Sequence, residues 1–301
     1  MNPITGQLLR EPLSMENISA GLYVVALPIG NARDITLRAL DTLNQVNTVL
    51  CEDTRVTKKF MLLYGIKSKL LSYNDHNATR IRAGIIQRLK LGERIALVSD
   101  AGTPLVNDPG YKLVVEAINC SIPIFSLPGP SAVINALLLA GLPTDRFMFA
   151  GYPPSKLKPR LKWLADFKTV QATIIFLESP RRLISSLQNM KQVFGNRNAA
   201  ILREMTKIHE EIKRGTLADL ANYFSASSPP KGEITVVIDR AENKELTNTK
   251  DIDELLRLML ENNSIRDAAR VISSATNFNK RVVYARALQI SKELCTVKPA
   301  D

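Results

Sequence analysis

The sequence predicts an α/β protein: two successive α/β domains followed by a small helical domain. From residue 21, short runs rich in Val, Ile, Leu and aromatics alternate regularly with stretches of helical period, the pattern of an open, largely parallel sheet. The chain has 301 residues, 45% hydrophobic and 23% charged, which is ordinary globular composition with length for two cores and excludes a disordered chain. From Ile252 the strand-like runs cease and only helical periodicity remains.

Residues 1–20 carry Arg10, Glu11 and Glu16 with no apolar stretch, and read as a flexible extension without a secretory signal. In the first α/β domain, 21–145, the strands are GLYVVAL (21–27), NTVLCED (47–53), KLLSY (69–73), RIALVSD (94–100) and IPIFSLPG (122–129). Between them ITLRALDTLNQV, TKKFMLLYGI, TRIRAGIIQRLKLG and GYKLVVEAINCS have helical spacing. The second domain, 146–240, alternates helical LKPRLKWLADF, strand ATIIFLES (172–179), helical PRRLISSLQNMKQVFG, strand AAILREM (199–205), helical TLADLANYF and strand GEITVVID (232–239). Polar HEEIKRG reads as an edge strand, which implies fewer parallel crossovers here, and SASSPPKG (225–232) as a turn-rich loop. A polar linker, 241–251, leads to three helices in 252–301, with Ser264 and Asn279 as N-caps. Those helices form either a helix-turn-helix-like unit or a plain helical cap.

Several function classes are excluded. Cys51, Cys120 and Cys295 are far apart and only His76 and His209 accompany them, so neither a disulfide framework nor a metal site is expected. The longest apolar run, Ala132 to Leu142, falls short of the ~20 residues that cross a bilayer, so a cytoplasmic protein without membrane association is expected. There is no GxxxxGK[ST] loop, GxSxG elbow, HExxH pair or GxGxxG fingerprint. The net charge is +11, and +8 of it falls in residues 151–214. An excess so localised points to a polyanionic partner, the alternative being a merely solvated basic face.

In a parallel α/β sheet the ligand crevice lies beyond the carboxyl ends of the strands. Here the loops at those ends are ALPIGN (26–31), EDTR (52–55), SYNDHN (72–77), SDAGTPLVNDPGY (99–111) and PGPSA (128–132). Five polar or Pro/Gly-rich loops on one sheet edge favour a ligand site over simple tight turns.

With LPIGN (27–31), ITLRAL (35–40), EDTR, SDAGTP (99–104), DPGY (108–111) and PGPSA in this order, the chain resembles the tetrapyrrole-methylase, or class III, S-adenosylmethionine methyltransferases. ESPRR (178–182), REMTK (203–207), HEE (209–211), RGTL (214–217) and PKGE (230–233) extend the resemblance to about residue 240. The form Pro28-Ile29-Gly30-Asn31, where relatives that act on corrin rings have a GxG-type loop, resembles the ribosomal-RNA branch of that family. Three positions depart from the family pattern: Ala26 in place of Thr, Leu105-Val106-Asn107 in place of Gly-Ile-Ser, and Arg181 in place of His.

The resemblance implies a two-domain tetrapyrrole-methylase-like fold with the cofactor, S-adenosylmethionine, in a cleft between the domains. It implies methylation of a ribose 2′-hydroxyl, that of cytidine 1402 in the 16S rRNA of the 30S subunit, by a homodimer. The implied cofactor contacts are Pro28, Asp100, Ala101, Gly102, Thr103, Ser131 and Ala132, with Leu177, Met205 and Gly232 around the adenine. Leu177 and Met205 equally suit an ordinary core. Candidate proton acceptors are Glu52, Asp53, His76 and Glu178. Asp53 and Glu52 beside Arg55 also suit a structural ion pair, and His76 a loop anchor. Arg55, Lys156, Lys158, Arg160, Lys162, Arg181 and Arg182 are the expected RNA contacts. Trp163 fits either a core position or a base-stacking one. The competing functions are a small-molecule methylase of the same fold and an inactive RNA-binding or ribosome-assembly protein, against which the intact SDAGTP and PGPSA loops speak.

Overall fold

The structure, a computed structural model, describes residues 18–226, 230–241, 249–275 and 278–296. Residues 1–17 of the expected extension, 242–248 of the expected linker, 227–229 of the SASSPPKG loop and the side chain of Cys295 lie outside the described residues. The chain divides into two units after Ala241.

The first unit holds two five-stranded sheets. In the first sheet β1 (Gly21–Val25), β2 (Thr48–Cys51), β3 (Lys69–Ser72), β4 (Arg94–Leu97) and β5 (Ile124–Leu127) run parallel in the order β3-β2-β4-β1-β5. The connecting helices are α1 (Leu37–Gln45), α2 (Thr54–Leu63), α3 (Ala78–Lys90) and α4 (Tyr111–Asn119). Ala39, Leu43 and Met61 of α1 and α2 pack with Tyr23, Val25, Val49 and Ala96 on one face. Ile85, Leu89, Leu113 and Ala117 of α3 and α4 pack with Leu22, Leu50, Ile95 and Leu97 on the other. Period-two alternation along buried strands supplies both faces at once.

This division of helices fixes where a ligand belongs. Right-handed crossovers put a helix on one face when the chain moves toward β3 and on the opposite face when it moves toward β5. The direction reverses between β1 and β4, which lie side by side. Their carboxyl ends therefore frame the switch-point crevice of the sheet.

The second sheet has β6 (Phe147–Gly151), β7 (Thr173–Glu178), β8 (Asn198–Arg203), β9 (Glu211–Thr216) and β10 (Ile234–Ile238) in the order β6-β7-β10-β8-β9. Only β6 and β7 are parallel; the other pairs are antiparallel, and HEEIKRG supplies the edge strand β9 as expected. The strand β6, FMFAG at the start of the second domain, is not among the strands expected from the sequence. One face is covered by α6 (Leu157–Ala165), α7 (Leu183–Phe194) and α8 (Leu217–Ala226), with Leu164, Leu187 and Phe224 around Phe176. Trp163 joins that core, edge-on to Phe167 with ring centroids 4.7 Å apart, which settles it as a packing residue.

The other face takes α5 (Ala132–Ala140), the segment that leaves β5. Its Val133, Ala136 and Leu137 pack on Ile175, Ala200, Leu202 and Val237 of the second sheet. Arg214 of β9 secures its far end: Nε donates to the Ala140 carbonyl at 3.1 Å, a cation on a helix C-terminus. A helix that starts at the ligand edge of one sheet and ends clamped to the other fixes the cleft between them.

The second unit contains α9 (Thr249–Leu260), α10 (Ile265–Ala275) and α11 (Lys280–Thr296) around Leu256, Ala268, Ile272, Val283 and Ile290. Ser264 accepts from the Asp267 amide at 3.1 Å and Asn279 from that of Arg281 at 2.9 Å, so both expected caps form. The helix α9 starts at Thr249, inside the expected linker.

Candidate functional site

A cavity of about 410 Å³ occupies the cleft between the sheets. Nine of the ten expected cofactor residues line it: Asp100, Ala101, Gly102, Thr103, Ser131, Ala132, Leu177, Met205 and Gly232. Pro28 does not; Ile29 takes its place, buried in the same apolar cluster as Met205. The loop after β4 is held open by its own bonds. Leu27 and Gly102 exchange backbone hydrogen bonds of 2.9 and 3.0 Å, the Ser99 hydroxyl donates to the Ala101 carbonyl at 2.9 Å, and that of Thr103 to the Pro130 carbonyl at 3.0 Å. Gly102 sits at φ +73°, and a Cβ there would meet Ile29 at 3.2 Å.

Backbone strain collects at the same place. Asn107 on one wall has φ of 71° and the nearby Leu105 72°, and Glu204 and Thr206, flanking Met205 on the other wall, have 51° and 66°. Non-glycine residues adopt these conformations at a cost and concentrate at binding sites.

The cavity is chemically two-sided. Ile29, Val133, Phe149, Leu177, Met205 and Ile234 give it an apolar wall, and Asp100 and Asp108 an acidic one. In the sequence Asp108 stands out only as part of the DPGY turn and not as a site residue. Partial burial and the neighbouring Glu52 push its carboxyl up to about 6, with Ser99 opposing and Asp100 adding to the shift.

Next to the cleft, Glu52, Asp53, Arg55, Asn74, Asp75 and His76 line an open groove, with Asp100 bordering both spaces. Desolvation, followed by Asp100, Asp75 and Asp53, raises the Glu52 carboxyl above its usual range. Asp53 is different. It caps α2 by accepting from the Arg55 amide at 2.8 Å and grips the Arg55 guanidinium at 2.7 Å, which holds its carboxyl down at about 2. It is the structural partner of Arg55, and so acidic a carboxylate is a poor proton acceptor. His76 is exposed on the groove, its amide donating to Asn74 Oδ1 at 3.2 Å. Glu178 is buried: Arg182 approaches at 2.8 Å, the Ser179 amide donates at 2.7 Å and Ser186 adds a hydroxyl. Its lone pairs are spent on holding the β7–α7 turn.

The basic stretch separates into two populations. Lys156, Lys158, Lys162 and Arg181 are exposed. Arg160 is only 5% exposed and donates to Asn189 at 2.8 Å, with Ser185 and Ser186 nearby. Arg182 is committed to Glu178, Ser179 and the Pro153 carbonyl. Arg160 corrects the expected set of RNA contacts, because its guanidinium is buried inside the fold and closed to phosphate, whereas Arg182 is half-buried and engaged in holding the β7–α7 turn. Arg55 is exposed at the groove, clasped by Asp53. Among the described residues no cluster of His, Cys, Asp and Glu is arranged to hold a metal ion.

Two sheets, one parallel and one mixed, bridged by a single helix and enclosing a cleft at a switch point, define the tetrapyrrole methylase class of fold. The chain belongs to the tetrapyrrole (corrin/porphyrin) methylase family, whose model matches residues 21–221, and residues 247–291 match the RsmI C-terminal HTH domain. It is 46% identical over 274 residues to the ribosomal RNA small subunit methyltransferase I of Mesorhizobium japonicum, covering 91% of this chain and 93% of that one. The proteins of the same name from Rickettsia prowazekii (41%, covering 84% and 91%) and Escherichia coli O157:H7 (36%, covering 93% and 99%) are also similar. In fold it resembles crystal structures of a uroporphyrin-III-C-methyltransferase from Thermus thermophilus and a diphthine synthase. Their TM-scores are 0.53 and 0.54 at 21% and 16% identity; each covers 72% of this chain, and 94% and 89% of their own.

Proposed function

We propose that this protein methylates the ribose 2′-hydroxyl of cytidine 1402 in 16S rRNA, with S-adenosylmethionine as methyl donor and the 30S subunit as substrate. The family and the relatives' names support an rRNA methyltransferase. The observation that carries the rest is the two-sided cleft, acidic at Asp100 and Asp108 and apolar at Leu177, Met205 and Ile234. It fits a ligand cationic at one end and flat and apolar at the other. The donor, when bound, supplies a methyl group on an already activated sulfonium leaving group.

The chain's own residues then position and deprotonate. Asp100 accepts from the donor's ammonium or ribose hydroxyls, the Ala101–Thr103 backbone and Ser131 face its polar groups, and Leu177, Met205 and Gly232 border its ring. The alcohol loses its proton as the new C–O bond forms. Asp108, at the edge of the cleft with a carboxyl pushed up to about 6, is the acceptor matched to neutral pH, and the charge of Glu52 helps to keep it there. His76 and Glu52 line the groove through which the acceptor ribose enters. The exposed Lys156, Lys158, Lys162 and Arg181 contact RNA phosphates, with Arg55 at the groove.

The reading extends to a cytoplasmic homodimer. Ile134 and Leu138, one turn apart on α5, are 45% and 71% exposed, and Ile208 is 97% exposed, apolar surface that suits a second copy. No helix among the described residues is long and apolar enough to cross a membrane. The test is tritiated-methyl transfer to 30S particles from cells lacking the modification, followed by nucleoside analysis. Label in 2′-O-methylcytidine is expected; label on a base, or none, refutes the proposal.

A further inference from the structure

A smaller cavity of about 190 Å³ adjoins the cleft, and the two share one lining residue, Asp108. It lies between the start of α3, with Asp75, Thr79 and Arg82, and the turn into α4, with Tyr111 and Lys112; the buried Tyr73 also lines it. Its volume is below the ~300–1,000 Å³ of pockets that enclose a drug-sized ligand, so it has room for one ring system and not for the methyl donor.

Three features describe what that ring is. Arg82 is fixed by Glu116 at 2.7 Å through Nε and interacts with the Tyr73 hydroxyl, while its buried Nη1 makes no hydrogen bond of good geometry among the described residues. A buried donor of this kind is costly unless something brings it an acceptor. Tyr111 is 70% exposed at the rim and offers an aromatic face of the kind on which bases stack. Asp75 and Asp108 put two carboxylates beside Arg82 and Lys112, a charge-balanced set of acceptors and donors that suits an uncharged heterocycle carrying both. Cytosine has that edge: an amino group at N4, which carboxylates accept from, beside acceptors at N3 and O2. Uracil reverses the pattern, with an acceptor at O4 and a donor at N3.

We propose that this cavity receives the unstacked cytosine of the target nucleotide, with Asp75 accepting from its amino group, Arg82 donating to its ring-edge acceptors and Tyr111 stacking on it. The attached ribose then lies at Asp108, on the border with the donor's cleft. The inference rests on the proposed ribose methylation and adds to it a reason why the nucleoside is a cytidine.

The test uses the full chain and two sets of 30S particles lacking the modification, one with cytidine and one with uridine at the target position. Wild type is expected to favour cytidine in kcat/KM by at least about 100-fold, as sites built on hydrogen bonds to a substrate edge do. Asp75→Ala and Tyr111→Ala alter exposed side chains, so folding is retained. Each is expected to lower kcat/KM on cytidine particles by about tenfold with donor affinity, measured by calorimetry, unchanged, and Asp75→Ala also to shrink the cytidine preference. Methylation of cytidine with a preference that Asp75→Ala leaves intact, or equal methylation of both particles by wild type, overturns the subsite alone. No 2′-O-methyl product on either particle overturns the proposed function and the subsite with it.

Discussion

Replacing Asp108 with Asn separates what the carboxylate does for the reaction from what it does to the fold. Burial and the repulsion of Glu52 and Asp100 move the Asp108 carboxyl from its ordinary 3.8 to about 6. A raised carboxyl means that the folded chain binds the proton more tightly than the unfolded one. The ionised form is therefore a burden on the fold, absent below about pH 4, growing between about 4 and 6 and complete above that. A displacement of this size corresponds to about 3 kcal/mol. Asp108 is only half-buried, so solvent screening reduces it to about 1–2 kcal/mol.

Asp108→Asn keeps the shape, carries no charge and escapes that burden. It is expected to be about 1–2 kcal/mol more stable than wild type at pH 7.5 and equal to it near pH 4, while methyl transfer falls by at least 100-fold. Urea unfolding of both proteins at several pH values between 4 and 7.5 reads the first effect, and transfer to 30S particles the second. A stability difference that is absent at pH 7.5, or unchanged down to pH 4, refutes the electrostatic account. Full activity in the variant refutes the role in proton transfer.

Glu178→Ala leaves Arg182 facing a buried gap and frees the Ser179 amide and the Ser186 hydroxyl. It should cost about 3–5 kcal/mol in chemical unfolding, although Glu178 borders the cleft. Gly232→Ala places a methyl within 2.4 Å of the Glu204 carboxyl carbon at φ +93°, so it should destabilise by about 1–3 kcal/mol and weaken donor binding in calorimetry. Reversing Lys156, Lys158 and Lys162 to Glu should lower affinity for 30S particles at least tenfold and flatten its salt dependence, with donor affinity kept. Arg160→Met, from the same stretch, should instead lower the melting temperature and leave the salt dependence of particle binding alone, because Arg160 is bonded inside the fold.

What was legible in the sequence is what depends on neighbours along the chain. The alternation of periods located nine of the ten described strands, and Ser264 and Asn279 were readable as caps because a cap and its amide are three residues or fewer apart. The strand β6 escaped because its five residues, FMFAG, end on a Gly, lie between Pro143 and Pro153, and obtain their pairing from β7 more than twenty residues later. Arg160 was misplaced for a local reason. In KLKPRLKWL every second residue from Lys156 to Lys162 is basic, yet a helix presents residues four apart on one face. Arg160 and Leu164 share the buried face, and Lys158 and Lys162 the exposed one. Asp108 was missed because its tuning comes first from burial and from Glu52, which belongs to another loop, and only then from Ser99 and Asp100 of its own. A motif such as DPGY marks the turn, and only the fold brings the other carboxylate near.

Under the proposed function, the distribution of charge also sets how RNA has to approach. Glu52, Asp75, Asp100 and Asp108 gather around the groove and the cleft, so the mouth of the site is acidic. That suits a cationic donor and works against a phosphate backbone lying across the opening. The exposed lysines of α6 begin four residues after Tyr152, and Arg181 directly follows Pro180; both Tyr152 and Pro180 line the cleft. Cations that flank an acidic mouth hold the backbone at the rim, where counterion release supplies affinity, and admit only an uncharged part of the chain. A ribose and base turned out of a folded RNA is such a part. On that reading, the charges of Asp100 and Asp108 disfavour a backbone laid straight over them. Neutralising the rim and neutralising the mouth should therefore act in opposite directions on nonspecific RNA binding: loss of Lys156 and Lys158 weakens it, whereas Asp75→Asn, which removes charge at the groove, strengthens it. Filter binding of an unrelated single-stranded RNA at fixed salt distinguishes the two, and an equal weakening by both changes would show that the mouth does not repel RNA.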